Sequence, residues 1–241
     1  MSRIYVVGSI EYPSVTTILD TMNKGEGITN WAVGCAMEYI KNNRGLGFSL
    51  AELLGQASNA WRSDLSNAAN IGAEVHTMIE EWIATGKVST DNRRPEVSRS
   101  FDAFIKWQAE HGVTWIKSEM QVVSHTWGYA GTLDAICLYE GRRLVLDFKT
   151  SSGFWDTYRM QIAAYRSAAE EGGEITDGTA VLRLDKKTGQ PEFKEFTDRY
   201  ERDREAFHKL TEFYYLSKDR RLKNNPHLLT KEKPCKTITI K

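Results

Sequence analysis

Two apolar runs meet at one turn between Gly131 and Lys149, and they carry charge where a chain tolerates it least. The segment reads Gly131-Thr132-Leu133-Asp134-Ala135-Ile136-Cys137-Leu138-Tyr139, then Glu140-Gly141, then Arg142-Arg143-Leu144-Val145-Leu146-Asp147-Phe148-Lys149. Runs of this length, rich in Val, Ile, Leu and aromatics, read as strands. Being apolar on both faces, they suit a sheet covered on both sides. A two- or four-residue loop centred on Glu140-Gly141 pairs residues whose numbers sum to 281. Asp134 then faces Asp147. Because side chains alternate with a period of two, Thr132, Asp134, Asp147 and Lys149 converge on one patch.

Two carboxylates about 5 Å apart repel by roughly 1 to 3 kcal/mol at effective dielectrics of 80 to 20. Protonation of one carboxylate or a bound cation relieves the repulsion. Hard oxygen ligands without paired thiols favour Mg²⁺ or Mn²⁺. A second loop centred on Thr126-Trp127 and closed by Gly128 pairs residues summing to 253, which sets Glu119 opposite Asp134 unless a bulge near Gly128 breaks the register. Two other acid-x-Lys triplets, Asp185-Lys186-Lys187 and Glu192-Phe193-Lys194, lie in polar, turn-proximal surroundings and read as a solvated hairpin.

The chain has 241 residues, 41% apolar and 27% charged, which fits one large domain or a core with an appendage and excludes a disordered or fibrous chain. Arg3 to Ile10 reads as a short strand, and Ser14 as the N-cap of a helix over 14–22. Helices are predicted over 28–43, 49–65, 67–86 and 95–111, then strands over 115–123, 128–139 and 142–149. A helix over 154–171, a hairpin of 179–185 with 191–196, a polar helix over 198–221 and a short strand at 237–240 follow. This order predicts an α/β fold, a mixed central sheet flanked by helices, with an N-terminal helical region over 1–112, a core over 113–217 and a basic tail over 218–241. In that tail eight basic side chains face two acidic ones, which makes it +6 and the rest of the neutral chain −6. Such an end is compatible with phosphate binding, and equally with a solvated tail. Cys35, Cys137 and Cys235 are too few and too far apart for a disulfide framework, which predicts a reducing, cytoplasmic setting. No apolar run approaches the ~18 residues of a membrane span, so no membrane partner is expected.

These residues resemble the RecB-like branch of the PD-(D/E)XK nuclease superfamily. The match runs through Gly72-x-x-x-His76, Glu119, Gly131-x-x-Asp134, Asp147-Phe148-Lys149 and Gln161-x-x-x-Tyr165. Pro13-Ser14-Val15-Thr16-Thr17-Ile18-Leu19 is similar to the start of phage and mitochondrial-genome-maintenance exonucleases of this branch. The resemblance implies a restriction-endonuclease-like αβββαβ core and a Mg²⁺- or Mn²⁺-dependent DNA exonuclease acting in recombination, repair or replication, of phage type. It implies Asp134, Asp147, the Phe148 carbonyl and His76 as metal ligands, and Glu119 as a further ligand or second-site acid. Lys149 would orient the attacking water and stabilise the phosphate, while Gln161 and Tyr165 would hold the DNA strand or the lysine. A structure-selective endonuclease and a catalytically silent nucleic-acid-binding module are the alternatives.

Several residues keep two readings. His76 is a ligand or an ordinary helix histidine, and His111, His125, His208 and His227 take the second reading. Ser14, Thr16 and Thr17 hold a phosphate or cap a helix. Trp155, with Trp127, Tyr129, Phe154 and Tyr158, stacks on unpaired bases or packs in the core. The tail is a docking segment for a partner such as a single-strand annealing protein, or solvated. Relatives with an iron–sulfur cluster carry four cysteines, so no cluster is expected here. No Gly-x-x-x-x-Gly-Lys-Ser/Thr loop exists, so no nucleotide cofactor is expected either.

Overall fold

The computed structural model describes residues 3–22, 25–89 and 91–217. The basic tail, with the strand expected at 237–240, Cys235, His227 and the end of the last helix, lies outside the described residues.

Two strands that pair antiparallel, β1 (Ile4–Val7) and β2 (Ile10–Pro13), open the chain. The single strand expected over 3–10 is therefore half of a hairpin. The reason is Gly8, whose φ of 62° only glycine adopts readily, and which turns the chain with Ser9. Helix α1 (Val15–Leu19) starts at Ser14, whose hydroxyl accepts from the Thr17 amide as an N-cap should. Helices α2 (Gly25–Asn43), α3 (Leu50–Thr85) and α4 (Pro95–His111) follow. The expected break near residue 66 is absent, and α3 runs unbroken for 36 residues. Its start is a capping box between Ser49 and Glu52, and its end is Gly86 in the left-handed conformation. No Gly or Pro stands between Asp64 and Asn70 to stop it, and Asn67 accepts a hydrogen bond from Arg94.

The sheet comprises β3 (Thr114–Ser124), β4 (Tyr129–Tyr139), β5 (Arg142–Lys149), β6 (Gly178–Leu184) and β7 (Pro191–Glu195), hydrogen-bonded in that order. Helix α5 (Asp156–Glu171) connects β5 to β6, the one parallel pair, and α6 (Tyr200–Ser217) comes last. The order α4–β3–β4–β5–α5–β6 is the expected αβββαβ core on a mixed sheet. Both faces are covered, as the doubly apolar strands require. One core joins α1, α5 and α6 to Leu133, Ile136 and Val145. The other joins α3 and α4 to Ala135, Cys137, Leu144, Leu146 and Phe148. Among the described residues no helix is long and apolar enough to cross a membrane.

Candidate active site

The two-residue turn Glu140-Gly141, with both residues at positive φ, sets the β4–β5 register. Every pair from Tyr139↔Arg142 to Ala135↔Leu146 sums to 281. On the other side, pairs from Ser124↔Tyr129 to Lys117↔Ile136 sum to 253, and the bulge lies between Trp115 and Lys117 rather than near Gly128. Glu119 and Asp134 therefore stand opposite each other, yet neither takes part in the ladder. Glu119 has a φ of 47°. Leu133 and Ile136 belong to one core while Ala135 belongs to the other, so the pleat is interrupted at Asp134. The Asp134 side chain substitutes for the missing ladder contact, its Oδ2 accepting from the Phe148 amide at 2.7 Å.

Asp134, Asp147 and Lys149 line one cavity of about 360 Å³, together with His76, Glu119 and Gln161. Asp147 is 1% exposed, and the Lys149 ammonium lies 2.5 Å from its Oδ2. That oxygen is buried and lacks a well-angled hydrogen-bond donor. Burial first, opposed by Lys149 and reinforced by Asp134, lifts the Asp147 carboxyl to about 6. Burial weakens the Lys149 ammonium, but the Asp147 and Asp134 carboxylates outweigh it and raise its pKa. The Lys149 ammonium also sits over the Tyr158 ring, 5.0 Å from its centroid.

Helix α3 brings His76 to the same place. Its Nε2 donates to the Phe148 carbonyl at 3.1 Å, and its Nδ1 lies 3.5 Å from Asp134 Oδ1. Burial disfavours the imidazolium, but the Asp134 carboxylate overrides it and raises His76 to about 9. Asp134 is lowered in turn, His76 outweighing the cost of burial. Burial and the nearby Asp134 raise Glu119. One ligand atom each from His76, Glu119 and Asp134 lie within 4.8 Å of one another. Two carboxylates and one imidazole match the donor preference of a small divalent cation such as Mn²⁺ or Mg²⁺. Asp147, expected as a ligand beside Asp134, is outside this trio and engages Lys149 and Gln161 instead.

Gln161 and Tyr165, one turn apart on α5, act on Asp147 rather than on the lysine. Gln161 Nε2 donates to Asp147 Oδ1 at 3.3 Å and to the Tyr165 hydroxyl at 3.1 Å. Tyr165 is buried, with its ring against Gly131, where a Cβ would fall 2.5 Å from Cε1. Glycine in the Gly131-x-x-Asp134 motif thus makes room for the tyrosine of Gln161-x-x-x-Tyr165.

Of the residues expected at the DNA, Ser14 and Thr17 are buried and their hydroxyls are taken up by the α1 cap and the Arg3 backbone. Thr16 alone of the three lines the cavity. Among the aromatics, Tyr129 is core and Trp127 stacks on His208, whereas Trp155 is 56% exposed just before α5. Asp185 and Glu192, in the other acid-x-Lys triplets, both pair with the buried Arg183 and so are structural. Sequence reasoning did not reach Arg3 and Glu80, which also line the cavity. Glu80 had a signal, since it lies one helical turn beyond His76. Arg3 had none.

No family model and no curated protein matches this chain. Among solved structures it is similar to the one titled "Crystal structure of SSO0001", at 14% identity over 85% of this chain and 84% of that one, with a TM-score of 0.34. A likeness this distant carries no argument about function.

Proposed function

We propose that this chain is a divalent-metal-dependent deoxyribonuclease of the RecB-like type, an exonuclease that hydrolyses phosphodiester bonds at DNA ends in the cytoplasm. The observation that carries this reading is the convergence of Asp134, Asp147 and Lys149 on one cavity whose wall also presents the His76–Glu119–Asp134 cluster. A bound Mg²⁺ or Mn²⁺ would lower the pKa of its water and draw charge from the phosphate. His76, Glu119 and Asp134 would hold it, with the Phe148 carbonyl beside them.

The protein's own groups divide the remaining work. Gln161 and Lys149 fix the Asp147 carboxylate at the cavity wall, which aligns it before substrate arrives. The largely buried Lys149 ammonium, held over Tyr158, offers positive charge where a phosphate gains negative charge. The Tyr165 hydroxyl accepts from Gln161 and so supports it from the cavity wall.

Asp147→Ala and Lys149→Ala are expected to abolish Mg²⁺-dependent release of nucleotides from end-labelled DNA, with circular dichroism unchanged. Full activity in either folded variant discards the reading. Cutting of a covalently closed single-stranded circle would replace exonuclease with endonuclease action. Calorimetry without Mg²⁺ or Mn²⁺ binding would favour a silent binding module.

A further inference from the structure

Arg3 stands out on the wall of a cavity otherwise rich in carboxylates. Its backbone is pinned at both ends: the amide donates to Thr17 Oγ1 at 3.0 Å, and the carbonyl accepts from the Ser14 amide at 3.0 Å. The guanidinium lies over the Tyr5 ring, 5.0 Å from its centroid. The Tyr5 hydroxyl in turn is 3.0 Å from the Thr132 hydroxyl, in the cavity wall. Among the described residues no carboxylate forms an ion pair with this guanidinium, although Glu80 and Glu119 line the same cavity and Glu119 feels its charge. An arginine fixed at its backbone, stacked on a ring and left without a paired acid is a donor fork held ready for an anion.

Resting on the nuclease reading above, we propose that Arg3, with the hydroxyls of Thr16 and Thr132, forms a second subsite that grips a phosphate of the DNA strand beside the one to be cut. A cation at His76, Glu119 and Asp134, with Lys149, would neutralise the scissile phosphate, so a strand entering this cavity would bring a further negative charge that they do not answer. Arg3 answers it; the Thr132 hydroxyl, accepting from Tyr5, can donate to a remaining oxygen, and the Thr16 hydroxyl does so by giving up its 3.0 Å bond to Ser14 Oγ. The phosphate is either a terminal monoester, which carries up to two charges, or the next internal diester.

The test is binding of short single-stranded oligonucleotides in EDTA, followed by fluorescence anisotropy, with 5′-phosphate, 3′-phosphate or hydroxyl ends. Arg3→Gln is expected to weaken binding roughly tenfold and to reduce the slope of log K against log salt by about 0.7. Arg3→Lys should restore the slope but only part of the affinity. A loss confined to one kind of phosphorylated end identifies the terminal monoester, and an equal loss on all three identifies an internal diester. Binding by Arg3→Gln equal to wild type, or no binding by wild type, overturns the subsite. Thermal unfolding of Arg3→Gln should change little, because the hydrogen bonds of residue 3 are made by its backbone and only the exposed arginine's stack on Tyr5 is lost. Cleavage is assayed separately: a chain that binds through Arg3 but never cuts loses the nuclease reading and keeps the subsite.

Discussion

A methyl group on Gly131 would sit 2.5 Å from Tyr165 Cε1, with Val15 behind it, so Gly131→Ala forces the buried ring to move. Overpacking of this kind costs about 1 to 3 kcal/mol, to be read from urea unfolding. Because Tyr165 supports Gln161, and Gln161 holds Asp147, the variant should also lose activity beyond what its stability explains. His208 makes a different prediction. Its ring stacks on Trp127, 3.9 Å between centroids, with Nε2 buried and unpartnered. Burial, aided by Arg204, holds its pKa down to about 4 from the ordinary 6.5. The unfolded chain therefore binds the proton first, and stability present above pH 6.5 is lost as pH falls toward 4, on the order of 2 kcal/mol. His208→Phe should flatten that acid limb in unfolding measured from pH 7 to 4, and an unchanged limb would refute the assignment. Residues in the doubly apolar hairpin were legible because charge there violates the ordinary pattern of burial. Arg3 was not, because an exposed arginine just before a short strand violates nothing.

Helix α3 is two environments on one rod. Its C-terminal half buries Ile71, Val75, Met78 and Ile79 against the sheet, whereas its N-terminal half buries only Leu53 and Ala57. Alongside it, α2 leaves Val33 and Met37 largely exposed. Helices with so little buried apolar area open at low free-energy cost. Amide hydrogen exchange should accordingly be faster over 28–65 than over 71–85, and equal protection would show that something else braces this arm. The period of the sequence revealed the helical character of all these stretches but not the continuity of α3, since Ser66-Asn67 imitates a helix start and only the contact with Arg94 shows what Asn67 does. Likewise Gly8-Ser9 is a legitimate two-residue hairpin signal hidden in a run too short to show alternation. The central hairpin registers were readable because tight turns at Glu140-Gly141 and before Gly128 leave few ways to pair the strands.

For the molecule as a whole, a cation held by His76, Glu119 and Asp134 in the native state alone must raise the unfolding temperature. At a concentration of Mn²⁺ or Mg²⁺ one hundred times its dissociation constant, the gain is about 2.7 kcal/mol, roughly 5 to 10 °C for a chain of this size. Asp134→Asn and Glu119→Gln should each reduce that shift in calorimetric scans, and a shift that survives both would place the ion elsewhere. What the sequence could not convey is the meeting of distant parts. The cavity wall takes Arg3 from before β1, Thr16 from α1, His76 from α3, Asp134 and Asp147 from the sheet, and Gln161 and Tyr165 from α5. During synthesis the chain leaves the ribosome N-terminus first, so Asp134 and Asp147 emerge before Gln161 and Tyr165, which support Asp147. No fragment that stops short of residue 165 contains the complete wall. Whatever chemistry the pocket performs is therefore withheld from the half-made polypeptide until translation has passed the sheet's middle strand.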